Sequence, residues 1–148
     1  MMPPQMITGR VLALDLGKRR IGLALSDELG ITAQGLETLH RTTIREDLAT
    51  LAKLAVDRNV GLILMGKPLH MSGDESRQSA YTRDFAERLK GVTGLPTQFW
   101  DERWTSVQAE RVLRSSGISI EKRAKAIDRL AAVILLESYL DSLQQGEF

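Results

Sequence analysis

Apolar residues fill positions 11–14 and 16, and again 21 and 23–25, on either side of a short basic turn, Gly17-Lys18-Arg19-Arg20. Two such runs around a glycine-containing turn predict a buried β-hairpin, with Gly17 and Gly22 marking the bend or a close backbone approach. Residues 31–40 mix apolar with small polar side chains and predict a third strand. Thr43-Ile44-Arg45-Glu46 has the form of a capping box. Leu48, Leu51, Ala52, Ala55 and Val56 then recur at helical spacing, predicting a helix that ends near Asn59. Residues 60–66 are a continuous apolar run bounded by glycine, the mark of a strand buried on both faces. Strand, helix and strand in succession imply a right-handed parallel crossover.

The rest of the chain continues the alternation. Residues 67–74, with Pro68 and Gly73, read as a loop at the carboxyl end of a parallel strand, where ligands commonly bind. A second helix is expected from Glu75 to about Lys90, with Tyr81, Phe85 and Leu89 on one face and Gly91 ending it. Residues 96–100 read as a strand running into Asp101-Glu102-Arg103. Thr105-Ser106-Val107-Gln108 repeats the capping box and opens a helix that stops at Ser115-Ser116-Gly117. Residues 116–124 read as a polar, basic connection. A last helix follows from Lys125 to Asp141, with Ile127, Leu130, Ala131, Ile134 and Leu135 as its apolar face. Residues 1–8 are read as a loose leader and 142–148 as a frayed tail.

Composition narrows the chemistry. A chain of 148 residues predicts one domain spanning 1–148, long enough for a core of its own. The absence of cysteine excludes disulfides, thiolate metal sites and a cysteine nucleophile, and two histidines make a His-rich zinc site a poor expectation. No apolar run reaches membrane-spanning length, and the first six residues lack the regions of a signal peptide, so a cytoplasmic protein is expected. The net charge of +1 says little about partners.

Three carboxylates stand out by position. Asp15 closes an otherwise apolar strand, Glu102 follows the carboxyl end of another, and Asp128 falls in the expected first turn of the last helix. A buried carboxylate is costly unless it is paired or binds a cation. Each residue has a plainer reading: Asp15 as a turn cap, Glu102 as a partner of Arg103 or a helix cap, Asp128 as a helix-start carboxylate favoured by the dipole. As a set they suit hard cations such as Mg²⁺ and Mn²⁺. Two such ions roughly 3.5–4 Å apart clamp the attacking and leaving oxygens of a phosphodiester. Basic residues support this reading: Lys18, Arg19 and Arg20 adjoin Asp15, and residues 103–129 carry seven positive charges (Arg103, Arg111, Arg114, Lys122, Arg123, Lys125, Arg129) against three negative (Glu110, Glu121, Asp128). Such local patches bind phosphate, although a solvated helix face is the commoner fate of a charge run. His70 is read as an exposed loop histidine with a phosphate or proton-transfer role as the alternative. Trp104 is read as a residue able to stack on a base, while for Trp100 core packing is at least as good a reading.

The stretch Leu14-Asp15-Leu16-Gly17-Lys18-Arg19-Arg20-Ile21-Gly22 with Ser26-Asp27, then Gly66-Lys67-Pro68-Leu69 with Met71 and Gly73, then Asp101-Glu102-Arg103, then Asp128 with Ala131-Ala132, resembles the YqgF/RuvX family in the order and spacing of four motifs. The resemblance implies an α/β, RNase H-like fold: a five-stranded mixed sheet, three antiparallel strands first and parallel crossovers after, flanked by helices. It implies a nuclease described as acting on pre-16S ribosomal RNA and earlier as a Holliday junction resolvase. Catalytic and metal-binding acids then fall on Asp15, Glu102 and Asp128, with Mg²⁺ or Mn²⁺ as cofactor. Lys18, Arg19, Arg20, Lys67, Arg103, Arg123 and Lys125 become the expected nucleic-acid contacts. Lys67 and Trp104 depart from the family pattern, where apolar residues are common. Expected partners are a ribosomal RNA precursor, with branched DNA as the alternative, and ribosomal particles; no membrane is expected, and the chain is expected to be a monomer or weak homodimer.

Two other classes compete. One is a non-catalytic RNA-binding ribosome-assembly factor on the same fold, since fold alone does not establish activity. The other is an actin-like or sugar-kinase ATPase domain, which needs two domains and a second Asp-x-Gly hairpin that this chain lacks.

Overall fold

The computed structural model describes residues 9–67, 77–101 and 120–144, with side chains at 77–78, 101 and 120–129 excepted. The predicted hairpin is there: β1 (Arg10–Leu16) pairs antiparallel with β2 (Arg20–Ser26), and Asp15 stands opposite Gly22. The loop is only Lys18-Arg19, closed by the Gly17 N–H donating to the Arg20 carbonyl at 2.9 Å. A Cβ at position 17 would lie 2.6 Å from that carbonyl oxygen, so the close backbone approach requires glycine there.

The expected third strand is two short strands, β3 (Ala33–Gly35) and β4 (Leu39–His40), both on β2. Their registers explain the break. Between the pairs Ala24↔Gly35 and Ile21↔Leu39, β2 moves three residues (24 to 21) while the outer chain moves four (35 to 39). One extra residue on the outer side is a β-bulge. Among the described residues the sheet therefore has six strands where five were expected.

Helix α1 (Ile44–Asp57) starts where the capping box predicts, with Thr43 Oγ1 accepting from the Glu46 N–H at 3.1 Å. The reciprocal half is replaced: the Glu46 carboxylate accepts instead from Thr42 Oγ1 at 2.7 Å. The chain then turns through Asn59 in the left-handed region (φ 55°) into β5 (Val60–Lys67). Helix α2 (Arg77–Thr93) runs past Gly91, the expected stop. Its end is marked by Gly94 at φ +70°, whose N–H donates to the Lys90 carbonyl at 2.8 Å. After β6 (Thr97–Asp101), the last helix α3 (Ile120–Gln144) begins five residues before the expected start at Lys125, so residues 120–124 are helical rather than a connection.

The sheet order is β3-β2-β1-β5-β6, with β1, β5 and β6 parallel. Strand alternation sends Leu12, Leu14 and Leu16 to one face and Val11 and Ala13 to the other. On the first face, Leu51 of α1 and Phe85 and Leu89 of α2 pack with Ile21, Ile63 and Met65. On the second, Ala132, Leu135, Leu136, Tyr139 and Leu140 of α3 pack on Ala13, Ala24, Leu62 and Leu64. Each large side chain buried this way contributes about 1.5–3 kcal/mol. The buried stripe of α3 is thus shifted from the expected one, in which Leu130 and Ile134 are only half-buried. Among the described residues no helix is long and apolar enough to cross a membrane.

Candidate active site at the carboxyl end of the central strand

Asp15 is the penultimate residue of β1 and half-buried. It continues the Val11, Ala13 series and so belongs to the face that α3 covers. Its neighbours across the sheet are glycines on both sides. Gly22 is its partner in β2, and Gly66 comes one step after the Leu14↔Met65 pair in β5. Neither flanking strand therefore places a Cβ beside the carboxylate. Asp15 also makes an interaction within the chain.

Helix α3 runs antiparallel to β1. Its carboxyl end lies at the amino end of β1: Gln144 Nε2 donates to the Gly30 carbonyl at 3.4 Å, and Leu140, Leu143 and Gln144 line one cavity with Gly9 and Val11. Going back from Leu140 to position 128 covers about 18 Å of helix. From Val11 to Asp15 is about 13 Å of strand. The backbone at position 128 therefore reaches the sheet end where Asp15 stands, three and four residues before the buried Ala131 and Ala132. Asp128 is not in the first turn, however. The helix starts at Ile120, so position 128 lies more than two turns inside it and the dipole argument for a carboxylate there lapses.

Strand β6 is parallel to β1 and ends at the same side of the sheet, with Asp101 in register with Lys67. It is fastened to α3 by Trp100, which meets Tyr139 edge to face at 5.3 Å and donates from Nε1 to Ser138 Oγ at 3.1 Å. Trp100 is thus a packing residue, as expected; burial raises the pKa of the Tyr139 hydroxyl. Glu102 and Arg103 follow Asp101 in sequence and lie outside the described residues, as do His70, Met71, Trp104 and the expected helix of residues 105–115. Among the described residues no three carboxylates or imidazoles come together.

The expected phosphate contacts divide similarly. Lys18 and Arg19 are exposed at the tip of the hairpin, and Arg20 is half-buried with partners of its own. Lys67 ends β5 with Nζ 5.5 Å from the centre of the Phe99 ring, a cation–π distance. Arg123 and Lys125 lie on α3.

Sequence reasoning passed over one pair. Arg41 Nε donates to Asp47 Oδ2 at 3.0 Å, and both side chains are buried, at 7% and 2% exposure. Asp47 Oδ1 accepts from the Thr42 N–H at 3.0 Å. The guanidinium lies 5.5 and 5.3 Å from the ring centres of Tyr81 and Phe85, and NH1 donates to the Gly17 carbonyl at 3.0 Å. Burial pulls the Arg41 pKa down, but Asp47 and Tyr81 outweigh it and the net direction is upward. The available signal was an acid on the apolar stripe of α1: Asp47 shares it with Leu51 and Ala55.

A family model described as "RuvX: Holliday junction resolvase" matches residues 9–142. The chain belongs to the RuvX family. A RuvX-family relative from Koribacter versatilis (strain Ellin345), named "Putative pre-16S rRNA nuclease", is 50% identical over 141 residues, covering 95% of this chain and 92% of the relative. A relative of the same name from Symbiobacterium thermophilum is 44% identical, over 90% and 92% of the two chains. In structure the chain is similar to T. thermophilus RuvC in complex with a Holliday junction substrate, with a TM-score of 0.58 at 14% identity over 92% and 96% of the chains. It is also similar to the Fowlpox virus resolvase with Holliday junction DNA, at a TM-score of 0.54 and 15% identity over 90% and 98%. At these identities the likeness speaks for the fold, and the expected RNase H-like architecture is borne out.

Proposed function

We propose that this chain is a metal-dependent nuclease of the cytoplasm that hydrolyses phosphodiester bonds at the 5′ end of pre-16S ribosomal RNA during ribosome biogenesis. One observation carries the reading: Asp15, a carboxylate between two glycines at the end of the central strand, adjoins an exposed basic turn. Asp15, Glu102 and Asp128 hold Mg²⁺ or Mn²⁺. The donor chemistry fits, since carboxylate oxygens suit hard cations and the chain has no thiolate to favour soft ones. When bound, such ions supply Lewis-acid stabilisation of charge on the phosphoryl oxygens. The chain's own part is positioning. The rigid β1 fixes Asp15, while Lys18, Arg19 and Arg20, with Lys67, Arg103, Arg123 and Lys125, bind backbone phosphates and set the register of the strand. Water then attacks phosphorus in line; the P–O bond to the leaving oxygen breaks as the new bond forms, and a proton lost from the water balances the one gained by the departing oxygen.

Cleavage of a pre-16S fragment and of a four-way DNA junction, titrated with Mg²⁺ and Mn²⁺ for the wild type and Asp15→Asn, tests this. Metal-dependent cleavage of the RNA, abolished by the substitution, is expected. The printed description of the family model favours a second reading, junction resolution; symmetric cuts in the DNA, which need a two-fold dimer, would establish it instead. Tight RNA binding without cleavage, unchanged in the variant, would make the chain a ribosome-assembly factor.

A further inference from the structure

The tip of the hairpin is held from outside as well as from within. Besides its own Gly17–Arg20 hydrogen bond, the turn is gripped twice by residue 41: the Arg41 N–H donates to the Arg19 carbonyl at 2.9 Å, and its guanidinium to the Gly17 carbonyl at 3.0 Å. That guanidinium is itself immobilised by Asp47 and covered by two aromatic rings of α2. A chain of contacts therefore runs from the amino end of α1, through one buried cation, to the two exposed basic residues beside Asp15. Arginine suits the task because its planar fork bonds a carboxylate and a carbonyl at once, which the single ammonium of lysine does not reproduce.

We infer that Arg41 is a positioning residue: by tying the Gly17 carbonyl to Asp47, it holds Lys18 and Arg19 in the one orientation that meets a nucleic-acid backbone. The inference rests on the nucleic-acid reading of the turn given above. Arg41 touches no substrate; it acts through the turn. Its contribution belongs to ground-state binding, so its loss raises KM and leaves kcat nearly unchanged.

The test is a double-mutant cycle read on RNA binding. Arg41→Lys keeps the buried positive charge beside Asp47, and a cooperative unfolding transition confirms that the variant is folded. Its affinity for a pre-16S fragment is expected to fall about tenfold, with the slope of log K against log salt reduced by about one. Lys18→Ala/Arg19→Ala is expected to lose at least as much. Adding Arg41→Lys to that pair should then cost less than a further twofold, because the groups it positions are gone. Amide exchange of the Gly17 and Arg41 N–H groups, which donate into the turn, should accelerate in Arg41→Lys. Additive losses, or unchanged exchange, overturn the inference and leave the nuclease reading intact. A wild type that binds RNA without cleaving it overturns the nuclease reading, while the cycle still decides the role of Arg41. A wild type that binds no RNA overturns both.

Discussion

Replacing Gly17 with alanine tests the hairpin geometry directly. The new Cβ would sit 2.6 Å from the Arg20 carbonyl oxygen, and ordinary contact begins at 3.4 Å, so the two must part by 0.8 Å (3.4 less 2.6). That oxygen is the acceptor of residue 17's own N–H at 2.9 Å, and a displacement of this size breaks the bond. A neutral hydrogen bond is worth about 1 kcal/mol. The Gly17 carbonyl also accepts from the Arg41 guanidinium, and a hydrogen bond to a charged group is worth about 1.5–3 kcal/mol. Partial loss of the second with full loss of the first gives about 2–3 kcal/mol. For a chain of this length that lowers Tm by on the order of 5–10 °C. Urea titration followed by circular dichroism measures the change, with the slope of the transition expected to stay constant. A loss below about 0.5 kcal/mol would show that the turn relaxes freely and would refute the reasoning.

Other substitutions test separate parts of the fold. Asp47→Ala strands the buried Arg41 charge and the Thr42 N–H, and should cost about 3–5 kcal/mol in urea denaturation, whereas Arg41→Met with Asp47→Leu together should cost much less; a single loss no larger than the double one would contradict this. Gly91→Ala, inside α2 with open space around it, should stabilise by about 0.5–1 kcal/mol, while Gly94→Ala, at φ +70°, should destabilise by about 1–2 kcal/mol; the same sign for both would be the wrong result. The Ile31 N–H at 2.7 Å, helped by that of Thr32, holds the Asp27 carboxyl below its usual range. Its contribution is therefore present above the unfolded-state pKa and lost as pH falls through the folded value. The stability lead of wild type over Asp27→Asn should shrink on acidification from pH 6 to 3, and thermal unfolding across that range would expose a constant lead.

The hairpin, α1, β5 and β6 were legible because burial imposes a period on sequence, and the apolar runs of β1 and β5 reflect strands covered on both faces. The bulge between β3 and β4 was not legible: an extra residue in a half-exposed outer strand disturbs no apolar pattern. The start of α3 was missed for the opposite reason. Residues 121–124, Glu-Lys-Arg-Ala, are polar enough to read as a connection, yet all are good helix formers. That error carried Asp128 into a first turn it does not occupy. Asp15 was visible because a carboxylate interrupts an apolar run. Arg41 resembles an ordinary surface charge, and Asp47, although it falls on the apolar stripe of α1, names no partner until the two side chains are seen buried together.

The divided outer strand has a bearing on how copies of this chain meet. An unbroken edge strand offers a row of free backbone groups to any extended chain that comes near. Here that row is cut into lengths of three and two residues, out of step by one. A second molecule cannot extend the sheet past β3 and β4 without losing register midway. A single additional residue thus blunts that side against self-association, in an ordered dimer or in an aggregate.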